Sequence, residues 1–465
     1  MTTAYDVVPY LSFPYPATHP DRLELLGHLF GMAPAPPPRA RVLEIGCAAG
    51  GNLLPVAEMY PAAICVGMDL AESAIAQGNE MVRALGLGNV ELRRADILDL
   101  DAGWGTFDYI ICHGVYSWVP DPIKAKLLDA CAALLAPRGI ALISHNVKPG
   151  WFPRAMAGQM MRYHVAGLPD PAAQTAAARE FIEFLVRTAS VAGYREALVR
   201  ERDLVLPSAD WYLFHDQLAP INDGCWFWEM ADALKARGLQ YLGDPHIPLM
   251  MPDLHPEAVA ALASVNDVIR TEQYQDFLTC RTFRMTAACR SNLTLDRGLT
   301  RRHIQELWLG TSAQWPADAD FDSTAPVTFR TLNQAWAEIE YPPTKRALRR
   351  MRAAHPGWVP FADVCPPEDA DQVALDLLAC FAAGVVVGWR RPPLFVTEIG
   401  ERPTATPLAR LQTRRGPQVT NRRHENITLD EVARAVLVEC DGSRPRADLA
   451  ADVVAKLAGH ALLVA

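Results

Sequence analysis

One string limits what this chain can fold into more than any other: RVLEIGCAAGGNLLP, residues 41–55. A run of strand character, 41–45, meets Gly46, Gly50 and Gly51 and passes into an apolar helical run, 51–58. A strand that turns into a helix through glycines leaves backbone N–H groups and a helix N-terminus facing outward, and lets a ligand come close where a Cβ would block it. The next strand pattern, 64–68, ends on Asp69, which lies 25 residues past Glu44. That is near the roughly 20-residue offset at which an acid meets ribose hydroxyls in nucleotide-binding βα units. The glycines read Gly46-x-x-x-Gly50-Gly51 with Glu44 ahead of them, a pattern that disfavours a pyrophosphate and suits a positively charged cofactor.

The alternation continues. Apolar strand runs at 90–93, 107–112 and 139–144 are separated by helical patterns at 71–85 and 123–135, which is the mark of parallel βα units. The fold expected is α/β, a doubly wound Rossmann-like sheet. After Pro149-Gly150 the sequence becomes rich in Ala and Met and reads as an inserted helical module, and strand patterns return only at 239–242 and 282–286. The organisation expected is an N-terminal lid segment (1–40), a ligand-binding core (41–150), the insertion (151–222), completion of the sheet (223–291) and a mainly helical C-terminal domain (292–465), for which a winged helix is one option.

Composition narrows the function classes. The 465 residues carry 44 basic and 53 acidic side chains, a net charge of −9, which argues against broad binding to nucleic acid or anionic membranes. No apolar run approaches the roughly 20 residues of a membrane helix, and the N-terminus lacks a basic region followed by an apolar core, so a cytoplasmic protein is expected. Ten cysteines are scattered without a CxxC pair or a Cys/His cluster; they read as core, and no metal site is expected. Basic runs at 345–352, 413–415 and 421–424 read as solvated faces, with docking of an acidic protein segment or RNA phosphate as the functional alternative.

The motifs resemble those of the class I methyltransferases that use S-adenosylmethionine, whose first motif has the form E-x-G-x-x-x-G. The resemblance implies that Glu44, Gly46, Cys47, Gly50 and Asn52 surround the methionyl moiety, that Asp69 and Leu70 meet the ribose, that Asp96 and Ile97 meet the adenine, and that His113 faces the cofactor from the other side. Longer ordered segments, YDVVPYLSFPYPATHPDRL (5–23), FDYIICHGVYSWVP (107–120), SHNVKPGW (144–151), YLFHDQLAPIN (212–222) and NRRHENITLDEVARAVLVECDG (421–442), resemble one subfamily. It comprises methyltransferases with a regulatory domain and includes bacterial outer-membrane-protein lysine methyltransferases. This implies a regulatory role for the insertion and a protein lysine as acceptor, with a small molecule, less readily RNA, or a catalytically silent binding fold as the alternatives. His145 and Lys148 depart from the aromatic pair usual in the family.

Methyl transfer from a sulfonium needs donor and acceptor held in line. A lysine with a free pKa near 10.4 must also be held neutral, which costs about 4 to 5 kcal/mol at pH 7. The candidates for that work are Tyr5, Tyr10, Tyr116, Trp118, His145 and Asn146. Tyr5 and Tyr10 would act from a segment folded over the cofactor mouth or would only pack there. Tyr116 and Trp118 follow the fourth strand, and His145 and Asn146 are expected to follow the fifth. His215 and Asp216 read as structural, and Thr18 as the N-cap of a helix that Pro20 begins. The acceptor and the oligomeric state stay open at the level of sequence.

Overall fold

Parallel strands β1 (Arg41–Ile45), β2 (Ile64–Asp69), β3 (Val90–Arg94), β4 (Phe107–Cys112) and β5 (Leu135–Val147) lie side by side in the order 3-2-1-4-5. The apolar runs of β1, β2, β4 and β5 are buried on both faces, as parallel strands covered by helices require, whereas edge strand β3 buries only Leu92. The order reverses between β1 and β4, so the crevice for a ligand opens at the C-terminal ends of these two strands. Three short or amphipathic helices, Leu54–Met59, Glu72–Leu85 and Asp121–Leu134, make the crossovers. The molecule is a computed structural model that describes residues 7, 8 and 10–464; Tyr5 lies outside the described residues.

The sheet is completed late in the chain. A two-residue strand β6 (Gly224–Cys225) pairs with the end of β5, and an antiparallel pair, β7 (Leu239–Gly243) and β8 (Phe283–Arg290), closes that edge in the order β5-β8-β7. This corrects one expectation. The fifth strand runs past Ser144 to Val147, because β8 pairs with it antiparallel from Ala141 to Asn146, so His145 lies inside the strand, opposite Arg284.

Arg284 is the largest fully buried side chain among the described residues, and its surroundings explain how the long excursion returns to the sheet. Its guanidinium makes a bidentate pair with Asp276 (2.7 and 2.9 Å), reaches Glu272 at 2.8 Å and lies 4.0 Å from the centre of the Phe227 ring. Asp276 and Glu272 sit on the helix Val268–Thr279, and Phe227 begins the helix Phe227–Lys235, so one charge pins both helices to β8. The inserted helices Trp151–Val165, Pro171–Thr188 and Ala192–Val205 have their own apolar core around Ala157, Met161, Ile182 and Leu198. Met161 lies in this core and Met160 packs against it.

The C-terminal half divides in two rather than forming one domain. The segment from Arg301 to Trp389 shares an apolar core with the N-terminal helix Pro20–Leu29 and one side of the sheet, whereas the last sixty residues pack around Ala409, Leu437, Val454 and Leu457. That last unit has helices Pro407–Thr413, Glu431–Glu439 and Ala451–Gly459, and a hairpin of Gln418–Thr420 with Asn426–Thr428. Two smaller expectations are also corrected. Lys345 is fully buried, its ammonium donating to the carbonyls of Asp320, Ser323 and Ala325, so the run 345–352 is not wholly solvated. The N-terminal helix is capped by His19, whose Nδ1 accepts from Asp21 N–H, because Thr18 Oγ1 is turned toward Asn52.

Removing one partner of a buried ion pair costs about 3–5 kcal/mol, since the charges left behind are unpaired. Arg284→Ala should lower stability by that amount in urea denaturation, and a loss below about 1 kcal/mol would show that water reaches Asp276 and Glu272.

Candidate active site at the C-terminal ends of the strands

β1 ends on Glu44-Ile45 and hands over to a turn in which Gly46, Ala48 and Gly50 all have positive φ (78°, 46° and 78°). At Gly46 the left-handed backbone is joined by close approach: a Cβ there would lie 2.4 Å from Val115 Cγ2. The turn is tied to β2 through the Gly46 and Cys47 N–H groups, which donate to the Met68 carbonyl, and through Ala48 N–H, which donates to Asp69 Oδ2 at 2.8 Å. The other Asp69 oxygen accepts from Ala71 N–H at 2.9 Å. Asp69 thus fixes the turn from below and remains partly exposed, and the neighbouring Leu70 is half exposed.

Glu44 is buried. Its Oε1 accepts from Asn52 Nδ2 at 2.8 Å, while Oε2 has no partner among the described residues. Burial first, and the Asp69 charge after it, push this carboxyl up to about 8 despite the Asn52 hydrogen bond. An orphaned carboxylate oxygen beside a left-handed turn fits a cationic group that donates hydrogen bonds. Cys47 is placed differently from expectation: its sulfur packs under the turn, 2.8 Å from where a Gly67 Cβ would stand, and only its backbone borders the crevice. At the end of β3, Asp96 accepts from Leu98 N–H, and Asp96 and Ile97 stay partly exposed at the rim.

The N-terminal segment crosses this crevice. Gly51 N–H donates to Ser12 Oγ at 2.7 Å, and a Cβ on Gly51 would meet the Ser12 carbonyl at 2.3 Å, so only glycine lets the segment lie this close. Tyr15 N–H donates to Asn52 Oδ1, and its ring lies 4.1 Å from that of His113. Burial lowers the His113 imidazole to about 4, so it is neutral, and its Nδ1 is unpartnered. Farther along, Tyr10 packs edge-on against Trp211 (4.9 Å) and His215 (5.8 Å), and the His215 ring is hydrogen-bonded to the Val8 carbonyl. His215 therefore has the structural role expected of it, as the anchor of the crossing segment.

Of the remaining candidates, Tyr116 lines a cleft of about 580 Å³ with Lys148, Trp151, Phe152, Cys225 and Glu229, but Trp118, two residues on, does not border it. Asn146 is buried and linked to Asn222. His145 is corrected: it is fully buried, with Nε2 on Thr286 Oγ1 at 2.9 Å and Nδ1 near Cys225 Sγ at 3.4 Å, and burial lowers it to about 3. It is a sheet residue with no access to a substrate. Sequence reasoning passed over Ser12, Tyr15 and Tyr212, although all three sit in segments whose resemblance was noted. It also passed over His424, although that residue sits in the segment 421–442 whose resemblance was noted as well as in a basic run.

With this geometry in place, the likeness to known proteins can be read. Residues 42–139 match the methyltransferase domain, 209–290 a predicted methyltransferase regulatory domain, and 401–465 the C-terminal winged helix domain of PKMT. The regulatory-domain match thus falls on the end of the insertion and the closing strands. An uncharacterized protein of Rickettsia prowazekii, RP789, is 41% identical over 305 residues, 65% of this chain and 55% of that protein. A second one, RP028, is 37% identical over 51% of this chain and 96% of its own length. The chain spans about half the length of RP789. The solved structure of PKMT2 from Rickettsia typhi superposes with a TM-score of 0.88 at 28% identity, covering 98% of this chain and 100% of that one, and its complex with AdoHcy gives 0.87. The chain belongs to the class I methyltransferases that carry a regulatory domain and a winged-helix C-terminus. Within that family its likeness to PKMT2 runs through all parts of the fold.

A carboxyl whose pKa is raised in the folded state binds a proton that the unfolded chain releases near pH 4.5. Its contribution to stability is therefore complete below about 4.5 and is lost as pH rises through about 8. In the ligand-free protein, Glu44→Gln should gain thermal midpoint over wild type between pH 5 and 8.5; a difference constant with pH would show that Glu44 does not titrate there.

Proposed function

We propose that this protein transfers a methyl group from S-adenosylmethionine to a lysine side chain of another protein. The observation that carries the reading is the half-partnered, buried Glu44 carboxylate beneath a left-handed turn, with Asp69 at the end of the adjacent strand. In this reading Glu44 Oε2 receives the methionyl ammonium, Asp69 the ribose hydroxyls, and the rim at Asp96 and Ile97 the adenine. Gly46, Gly50 and the backbone at Cys47 line the turn, and Asn52 holds Glu44. S-adenosylmethionine supplies an electrophilic methyl on a sulfonium.

The chain's own work is then to orient an amine, keep water out and take its proton. The crossing segment of residues 10–15 covers the crevice and excludes water, which strengthens every electrostatic interaction inside. On the acceptor side Tyr10, Tyr15 and Tyr212 form an aromatic wall, with Tyr10 hydrogen-bonded to Tyr15. Tyr212 is hydrogen-bonded to Asp216, which burial raises to about 6, close to the value a general base needs at neutral pH. A dry aromatic wall disfavours the ammonium form of lysine, and Asp216 offers a place for the proton it loses. Neutral His113 faces Tyr15 without adding a charge.

A protein acceptor is supported by the likeness to PKMT2 across the whole chain, including the winged helix. Ten free thiols, eight of them buried, support a reducing compartment such as the cytoplasm. Among the described residues no helix is long and apolar enough to cross a membrane.

Calorimetric titration with S-adenosylhomocysteine tests the cofactor. Wild type should bind, and Asp69→Asn should bind at least about tenfold more weakly, a change of roughly 1.4 kcal/mol. Asparagine is the better variant because its amide oxygen can still accept from one of the Ala48 and Ala71 N–H groups, whereas alanine would release both. Wild-type affinity in the variant would displace Asp69 from the site. For the acceptor, candidate proteins incubated with S-adenosylmethionine should show methyl increments on lysines by mass spectrometry; labelling of small molecules alone would sink the lysine assignment.

A further inference from the structure

We infer that His424, at the tip of the winged-helix hairpin, is a positioning residue for the cofactor site, acting through Asn52 on the Glu44 carboxylate. The inference rests on the cofactor reading above. The hairpin loop 421–425 is shaped by Asn421, whose side-chain oxygen accepts from the N–H groups of Arg423 and Glu425 and whose amide donates to the His460 carbonyl. This holds His424 at φ 62°, a left-handed conformation that side chains other than glycine rarely adopt. The outcome is an imidazole delivered 372 positions along the chain to a buried polar atom: His424 Nε2 lies 2.7 Å from Asn52 Oδ1.

The protons along this path are fixed by their neighbours. Asn52 Nδ2 donates to Glu44 Oε1, so Asn52 Oδ1 is an acceptor and takes hydrogen bonds from Tyr15 N–H, Thr18 Oγ1 and His424. His424 must therefore carry its proton on Nε2, which leaves Nδ1 bare. His19 carries its proton on the same nitrogen: its Nδ1 accepts from Asp21 N–H, so Nε2 holds the hydrogen. The two rings lie 4.8 Å apart and edge-on, and among the described residues the His19 Nε2 donor and the His424 Nδ1 acceptor have no other partner. Both histidines are buried and neutral, and the amide between them and Glu44 cannot turn over without breaking all its bonds.

Removing the imidazole takes one donor from Asn52 Oδ1 and opens space beside it, leaving Tyr15 N–H and Thr18 Oγ1 to hold the amide less tightly, so that its hydrogen bond to Glu44 Oε1 is weakened. The hairpin itself stays docked, because Arg422 pairs with Glu58 at 3.6 Å and Leu408 N–H donates to the same carboxylate. Calorimetric titration of the full chain with S-adenosylhomocysteine, with ligand-free thermal midpoints measured alongside, tests this on wild type, His424→Ala and His424→Gln. His424→Ala should weaken binding about tenfold, the worth of one well-made hydrogen bond. His424→Gln, which can still donate to Asn52, should bind within about threefold of wild type. Wild-type affinity in His424→Ala, or equal weakening of both variants in step with their thermal midpoints, would overturn the inference. Failure of wild type to bind would overturn the cofactor reading and this inference with it, whereas binding by wild type with no effect of either variant removes this inference alone.

Discussion

A single buried amide, Asn52, is the point on which the separate parts of this chain are registered. Its nitrogen serves the Glu44 carboxylate, and its oxygen serves the N-terminal segment through Tyr15 and Thr18 and the winged helix through His424. An amide oxygen has two lone pairs, which Tyr15 N–H and His424 fill, and Thr18 Oγ1 adds a proton shared between this oxygen and the Tyr15 carbonyl, so the buried acceptor leaves no room for water to substitute. Segments 34, 37 and 372 positions away in sequence are therefore held to hydrogen-bond tolerance against a residue eight positions from the ligand-facing acid. The crevice is built by the sheet, but its shape is set by chain that lies outside the sheet.

The same division runs through the rest of the molecule. Absence of a side chain permits the crossing segment to approach at Gly51, and polar groups at its two ends hold it: Ser12 on the Gly-rich turn and Val8 on His215 of the insertion. The insertion returns to the sheet through Arg284, whose charge is neutralised by two acids on one helix and covered by an aromatic ring on another. Lys345 repeats the device with three carbonyls. Burying a charge is tolerable only when it is paired or well hydrogen-bonded. Each of these charges thus ties down a segment that apolar packing alone would leave free to slide.

Periodicity and turn chemistry carried the first four strands to within a residue, because each is short, contains β-branched or apolar residues and is followed closely by a Gly or an acid, all local signals. The fifth strand was read four residues short at its start and three at its end, since what extends it is pairing with β4 at Leu135 and antiparallel pairing with residues 283–288, information no local window contains. His145 was misplaced for the same reason. The basic run 421–424 looked like a solvated face, yet two of its members point inward: Arg422 meets Glu58 and His424 meets Asn52. Net charge in a window says nothing about which acids will face it across the fold. The turn that carries the residues proposed for the cofactor was legible because Glu44, Gly46, Gly50 and Asp69 belong to a strand–turn–helix whose geometry is local. The aromatic groups proposed for the acceptor side were not, since Tyr10, Tyr15 and Tyr212 come from two segments distant in sequence.

The electrostatics of the turn also explain why a glycine-rich βα unit here suits a sulfonium amino acid rather than a dinucleotide. In a pyrophosphate site the helix N-terminus and backbone N–H groups provide positive potential unopposed. In this chain the N–H groups of Ala48 and Ala71 are already committed to Asp69, and those of Gly46 and Cys47 to the Met68 carbonyl. The donors that would cradle a phosphate are spent inside the fold, and two carboxyl groups stand in their place. Burial and mutual repulsion leave Glu44 reluctant to ionise, an expense that is recovered only when a cation arrives at its free oxygen. An anion at the same point would meet a filled donor set and an acidic neighbour, so selectivity for a positively charged ligand follows from where the turn's own hydrogen bonds go.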